Sequence, residues 1–444
     1  TVHTLPDIVL AEGLVMIDFR RWVIGVIVAT IPTTVWAQGA LLSSFGPVNA
    51  SMGGASTAAP IEAMSAMGWN PATISGLPNS ELGVGLGLLL SDLVLDSSAP
   101  DQGAGSTGAE SGTTPIPGFA WVHKLNEYTT VGLGALSVAG FRANYPADVT
   151  NPVLAPVSNT PGVPGGLGSL YSEVQFMEVL PVVSFAVTER LAIGFGPTIT
   201  TGQVVVDPLL LAPPTDTDGS GVPRYPAGRG TRYSWGGGAQ LGVYYITECA
   251  WHFGASIKSP QWMEAHRVHT ECEEGMPYVA TFKLDLPMIV SVGTAYSGFE
   301  DLVLALDLRF IDYANTDGLG DSGYSPYGAL NGLNWSSQFV VATGAQYRLT
   351  DRLLARVGYT FNTSPYGSAD TFYNVASALG YQHQLCLGGS WEVTPCVAFH
   401  VSYQHYFQWD NTGPIVLPSG VMPGSSVTTT ASAHLAQLGV TVKY

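Results

Sequence analysis

The chain has 444 residues, of which only 11% are charged, against about 25% in an average soluble domain. Its mean hydropathy is nevertheless a mild +0.23, with 53 glycines, 46% hydrophobic residues and a net charge of −17. These values exclude a nucleic-acid binder, which needs a basic face, a disordered chain, which is poor in apolar residues, and a polytopic helical membrane protein, which needs repeated apolar runs of about 20 residues.

Residues 1–37 read as a leader. Arg20 and Arg21 precede the apolar run Trp22 to Ala37, and Val35-Trp36-Ala37 supplies small residues at the outer and last positions before Gln38. A basic region, an apolar core and small residues at a cleavage site make a secretory signal peptide. A membrane anchor is the alternative, but the run is short and contains Pro32. Residues 1–15 match no part of a signal, so the expected start is Met16 and the expected mature start lies near Gln38.

Residues 38–80 are rich in small residues, carry the single charge Glu62 and are too polar and broken to span lipid. The runs 53–59 and 63–66 suggest short helices. From Glu81 to Tyr444 strand-like segments alternate with turns. In segment 300–313, Leu302, Leu304, Leu306, Leu308 and Phe310 share one face, while Val303, Asp307, Arg309 and Tyr313 share the other. Segment 280–296 sets Phe282, Leu284, Leu286, Met288, Val290 and Val292 against Lys283, Asp285 and Ser291. That period of two belongs to strands with one apolar face.

Strands are expected near 80–95, 113–124, 127–142, 170–187, 190–207, 231–247, 250–266, 279–296, 300–313, 335–349, 352–363, 377–391, 394–408 and 431–444. Short turns near Asn126, Glu189, Glu248, Ser297, Asp351 and Thr394 alternate with long loops rich in Gly, Pro, Asp and Ser. Short turns at one end and long loops at the other mark an outer-membrane barrel. The expected fold is therefore all-β: a transmembrane antiparallel barrel of about fourteen strands over 81–444. Such a barrel lies between the filled eight-stranded kind and the open channels of about 16 to 18 strands. Residues 38–80 are expected to plug its lumen as a hatch.

Four cysteines make no disulfide scaffold. Cys249 and Cys272 are not expected to pair, and whether Cys386 and Cys396 pair stays open. The stretch containing His266, His269, Cys272 and Glu273 has a spacing that could hold a metal, and DTDGSG at 216–221 and NTDGLGD at 315–321 have calcium-loop spacing. Such loops are more often plain acidic turns, and no metal or cofactor is assigned. Nucleophile-elbow, phosphate-loop and zinc-protease motifs are missing. His400 and Ser402 on an inward face are too ordinary in a polar lumen to mark an esterase, so no enzyme activity is expected.

The chain resembles the FadL-type outer-membrane transporters of long-chain fatty acids and aromatic hydrocarbons. The resemblance rests on Phe45, Gly53-Gly54-Ala55, Glu62 and Asn70-Pro71-Ala72 in the plug, and on LDLPMIVSVGTAY at 284–296, LDLRFIDYANTDG at 306–318 and RVGYTFNTSPY at 356–366. It implies capture of a hydrophobic ligand by extracellular loops, transfer to an apolar pocket, release by movement of the plug, and lateral exit to the bilayer through a kinked third strand. Flow is passive. The implied gate residues are Asn70, Pro71, Ala72, Phe45 and Glu62, and the implied kink residues are Gly132, Gly134 and Gly140. Inward cations Arg309, Lys283, Arg356 and Arg348 would pair a fatty-acid carboxylate, unless internal acids such as Asp307 and Asp285 take them. The expected partners are the ligand, outer-membrane lipid and lipopolysaccharide, for a monomer that binds no nucleic acid. An outer-membrane lipase and a hydrophilic porin are the rival readings.

Overall fold

The computed structural model describes residues 39–161 and 165–444. The leader, its signal peptide and the Met16 start lie outside these residues.

Fourteen antiparallel strands form the wall: β1 (Glu81–Ala99), β2 (Thr113–Lys124), β3 (Thr129–Tyr145), β4 (Leu170–Ala186), β5 (Leu191–Asp207), β6 (Ser234–Ile246), β7 (Trp251–Lys258), β8 (Ile289–Tyr296), β9 (Leu302–Ile311), β10 (Gln338–Thr350), β11 (Leu353–Asn362), β12 (His383–Thr394), β13 (Val397–Gly413) and β14 (Ser426–Lys443). Each pairs with its neighbour in sequence, and β14 returns to pair with β1 from Ser426↔Ser98 to Lys443↔Glu81. Closure leaves no edge, which is how strands can stand in lipid. On β1, Val84, Leu86, Leu88 and Leu90 face outward at 46–51% exposure, while Gly83, Gly85 and Gly87 face in. Short turns lie at the end that holds Glu81 and Tyr444; long loops lie at the other, which we take as extracellular.

Two expected strands are shorter than the alternation suggests. The segment 250–266 breaks its wall strand at Lys258 and rejoins β6 only at Trp262–Met263, and 279–296 begins its own at Ile289. Pro260 and Pro287 interrupt the ladder there, because proline offers no donor. The chain between them builds a separate hairpin, His266–Glu271 with Pro277–Phe282. The facing assigned to 280–288 is thereby overturned: Phe282, Leu284 and Leu286 are buried in the interior instead of facing lipid. Elsewhere the wall is taller than expected, with β1 running to Ala99 and β13 and β14 paired out to Gly413↔Val427.

Residues 39–80 fill the lumen. They hold helices α1 (Gly46–Ser51) and α2 (Ala63–Trp69) and a 3-10 turn, Pro71–Gly76. The expected helix over 53–59 does not form, because Gly53 and Gly54 adopt φ of 63° and 80°, outside the helical region. Helix α1 lies against β11 to β14 and β1, α2 against β1 to β4, and the 3-10 turn against β3 to β6. Residues 52–58 meet β7 to β10. Every strand of the ring is therefore touched from within.

That fit depends on a belt of inward glycines. Gly194↔Gly242, Gly254↔Gly293, Gly344↔Gly358 and Gly85↔Gly439 are direct cross-strand pairs. A Cβ on Gly358 would stand 2.1 Å from Gly53 N, one on Gly254 2.0 Å from Thr57 O, and one on Gly242 1.9 Å from Asn70 Oδ1. So close an approach of the plug to the wall's backbone needs glycine.

Among the described residues all four cysteines are free. Cys386 sits on β12 opposite Gln404, whereas Cys396 lies in the turn before β13. The pairing left open by the sequence does not occur.

Candidate functional site

The five expected gate residues all lie in the plug. Asn70 closes α2 with its backbone N–H and opens the 3-10 turn with its side chain, whose Oδ1 accepts from Ala72 N at 3.1 Å. Its Nδ2 donates to Thr57 O at 2.7 Å and to Val243 O of β6 at 3.0 Å. One buried amide thus ties two parts of the plug to each other and to the wall. Pro71 follows as the first residue of the turn, where its missing N–H costs nothing. Ala72 O accepts from Ser184 Oγ of β4 at 3.1 Å.

Phe45 packs on Trp69 with ring centroids 4.9 Å apart. A Cβ on Gly68 would stand 2.1 Å from the Phe45 ring. Glu62 caps α2 through Met64 N and Ser65 N at 3.0 and 2.9 Å. Glu81 accepts from Ala63 N at 2.6 Å beside it. Burial, reinforced by the Glu81 charge, pushes the Glu62 carboxyl up to about 8.

The four cations expected to await a carboxylate do other work or lie elsewhere. Arg309 is fully buried; its Nη2 donates to Asp307 Oδ2 at 2.7 Å and also to Gly54 O. Its guanidinium lies 3.6 Å over the Trp69 ring. Asp307 Oδ2 in turn accepts from Ser56 N, Thr57 N and Thr57 Oγ1 at 2.7–2.9 Å. Arg309 and Asp307 therefore clamp the plug. Arg356 donates to Gln346 Oε1 and Ser390 Oγ at 2.7 and 2.6 Å. It borders a polar vestibule at the short-turn end with Glu62, Glu81, His400 and Lys443, and Arg348 lies at the exposed rim of the same vestibule. Lys283 is 46% exposed and pairs with Asp285 at 3.2 Å. It left the lumen when the strand ended at Pro287.

The break in the third strand, β3, is not at the expected glycines. Gly132 and Gly134 pack on the Met67 side chain of the plug, and Gly140 lies near Ile116. The register between β3 and β4 slips between Ser137 and Ala139, so the extra residue is Val138. The β2–β3 ladder stops at Gly118↔Leu136. Beyond it β2 offers Pro115 and Pro117, which have no donors to extend the ladder. Val138 O is taken instead by Leu42 N at 2.9 Å, and Leu41 bridges Ala139. The plug's first residues thus occupy the breach. The space there is bordered by Ser44, Phe45, Ile116, Leu136 and Ser137.

On the extracellular side of this arm lies an apolar cavity of about 60 Å³. Phe141, Val174, Phe176, Leu210, Leu286 and Trp335 are among its walls, and Ala40 and Ala139 border it beside the arm. Ser172 and Ser377 are polar; no lining residue is charged. None of the four proposed cations reaches it.

Nothing local marks Asn49 or Thr360 as fasteners, and Asp307 stands out in the sequence only as an internal partner for the inward cations. Asn49 Oδ1 accepts from Phe45 N and Trp69 Nε1, each at 3.0 Å, and Thr360 Oγ1 donates to Gly53 O at 2.6 Å. A lone Asn or Thr carries no local signal of partners so distant in the chain. The metal spacing at 266–273 also dissolves. His266 points inward, buried between Ser234 Oγ and Leu284 O, and burial lowers its imidazole pKa; His269 points outward.

A family model described as "Outer membrane protein transport protein (OMPP1/FadL/TodX)" matches residues 26–444. No curated sequence matches the chain. Among solved structures it is similar to the Ralstonia pickettii toluene transporter TbuX, at 17% identity, 91% of this chain, 99% of that one and a TM-score of 0.64. It is also similar to a Pseudomonas aeruginosa FadL homologue, at 14% identity, 91% and 100% coverage and a TM-score of 0.68. The Pseudomonas putida toluene transporter TodX gives 15%, 92%, 100% and 0.65. At these identities the structures speak to the fold.

Proposed function

This chain belongs to the OMPP1/FadL/TodX family of outer membrane transport proteins, and on that premise we propose that it passes neutral hydrophobic molecules from its extracellular cavity sideways into the bilayer. The carrying observation is the position of residues 40–45. Ala40 borders the apolar cavity, while Ser44 and Phe45 border the breach between β2 and β3. A small displacement of this arm, with the rest of the plug held by the glycine belt and the Asp307 clamp, joins the two spaces. Partition into lipid then drives the flow, at about 25 cal/mol for each Å² of apolar surface removed from water.

The uncharged lining favours a hydrocarbon over a fatty acid, because a carboxylate buried there would have no cation to compensate its desolvation. Two of the similar structures are described as toluene transporters, which supports a small aromatic ligand. The chain acts as a transporter, and neither the lipase nor the porin alternative finds support in its family.

Deletion of Val138 combined with Pro115→Thr and Pro117→Thr tests the route. It restores a continuous β3–β4 register, gives β2 the donors that its ladder to β3 lacks, and should remove the breach. Uptake of labelled toluene by cells displaying the variant is expected to fall at least about tenfold, with the barrel still folded by its heat-dependent gel shift. Undiminished uptake refutes lateral exit at this point. Uptake of labelled palmitate exceeding that of toluene in the unaltered protein refutes the choice of ligand.

A further inference from the structure

Two acidic stretches, each unremarkable alone, meet in the extracellular cap. The loop between β5 and β6 carries Asp216, Asp218 and Ser220 at alternate positions. The turn of the 266–282 hairpin carries Glu273. One carboxylate oxygen from each of Asp216, Asp218 and Glu273 lies within 4.8 Å of the others. Thr217 N donates to Glu273 Oε2 at 2.7 Å, which locks the loop to the turn.

The second observation is at Glu273. Its side chain is only 10% exposed, and its Oε1 is buried with no hydrogen-bond donor. The neighbouring cation, Arg224 Nε, stays 3.9 Å away, beyond hydrogen-bonding distance. Arg224 spends its Nη2 on Asn159 Oδ1 at 2.7 Å. A buried carboxylate oxygen without a donor is costly, and the carboxylate that carries it clusters with those of Asp216 and Asp218. Three carboxylates and one guanidinium leave two negative charges.

We propose that Asp216, Asp218 and Glu273 form a calcium site in the extracellular cap. An all-oxygen set with a net charge of −2 matches a hard divalent cation, and its irregular, two-segment geometry suits calcium better than magnesium. Ser220 Oγ, 3.3 Å from Asp216 Oδ1, is placed to add a neutral oxygen. Bound calcium bolts the 208–233 loop to the hairpin. The same loop carries Leu210 and Leu211, and the segment after the hairpin carries Leu284 and Leu286, all four of which line the apolar cavity. Calcium therefore orders the wall of the capture cavity, although the site itself does not depend on what the protein carries.

The test is calcium titration calorimetry on the full chain in detergent after washing with chelator. Sites of this exposure bind in the range of about 0.1–1 mM. One calcium per chain is expected, with affinity lowered at least about tenfold by Asp216→Asn with Glu273→Gln, and unchanged by Glu110→Gln in another extracellular loop. The heat-dependent gel shift reports that each variant is folded. No binding at about 10 mM calcium overturns the proposal, as does binding that survives the double substitution. Protease cleavage within 208–233, slowed by calcium in the unaltered chain and not in the double variant, is the expected companion result; equal slowing in both also overturns it.

Discussion

Asn70 is the single residue on which the plug's seating most depends. Replacing it by Ala leaves Thr57 O and Val243 O without their donor, a loss of about 1–3 kcal/mol at a buried site. Asn70→Ala is expected to raise the frequency of open events in planar bilayers and to alter toluene uptake; unchanged values of both would remove Asn70 from the gate. Glu62 makes the seating sensitive to pH. Its carboxyl in the seated plug holds its proton up to about 8 against an ordinary 4.5, so the seated state binds the proton more tightly than the released one. Seating is therefore strongest below about 4.5 and weakens as pH rises through 8. Conductance events should grow more frequent across that window. Glu62→Gln, which keeps one of the two caps to Met64 and Ser65 and carries no charge beside Glu81, should flatten the dependence.

At the scale of elements, the plug and the wall are complementary surfaces. The belt glycines are the wall's share of that fit. Gly358→Val puts side-chain atoms where Gly53 N and Met52 C now lie, at 2.1 and 2.3 Å from the Cβ position. Valine suits a strand, so the barrel is expected to remain while the plug is displaced. Single-channel conductance of that variant should rise well above that of the unaltered protein, whereas a lipid-facing change such as Leu86→Val should leave it alone. The third strand uses another device. One extra residue, Val138, breaks the ladder more completely than three glycines do, because a bulge frees a carbonyl that must find another partner. Leu42 supplies that partner, and so the breach and the arm that closes it are made by one hydrogen bond.

At the scale of the whole molecule, charge is kept away from the apolar cavity. The buried ion pair Asp307–Arg309 holds the plug, the vestibule at the short-turn end collects Glu62, Glu81, Arg356 and Lys443, and the cavity beneath the extracellular loops is uncharged. Uptake of a neutral hydrocarbon through such a path is expected to change less than about twofold when sodium chloride is raised from 0.01 to 1 M, a range over which the Debye length falls from about 30 to about 3 Å. A strong salt dependence would point to charged groups on the route.

The sequence by itself determined the barrel. Lipid on one side and a packed lumen on the other impose a period of two on every strand, and that period, with alternating short and long connections, revealed fourteen strands. Its failures were local, at Pro260 and Pro287, where alternation continued on paper after the ladder had ended. What Arg309, Lys283 and Arg356 do was decided only by the tertiary structure, because alternation assigns a side to a residue and no partner. The same holds for the bulge at Val138, whose neighbours look like any strand, and for Asp216 and Glu273, which lie far apart in the chain. Strand formation answers to a residue's near neighbours and its solvent; a clamp, a breach or an ion site answers to groups that meet only when the sheet has closed.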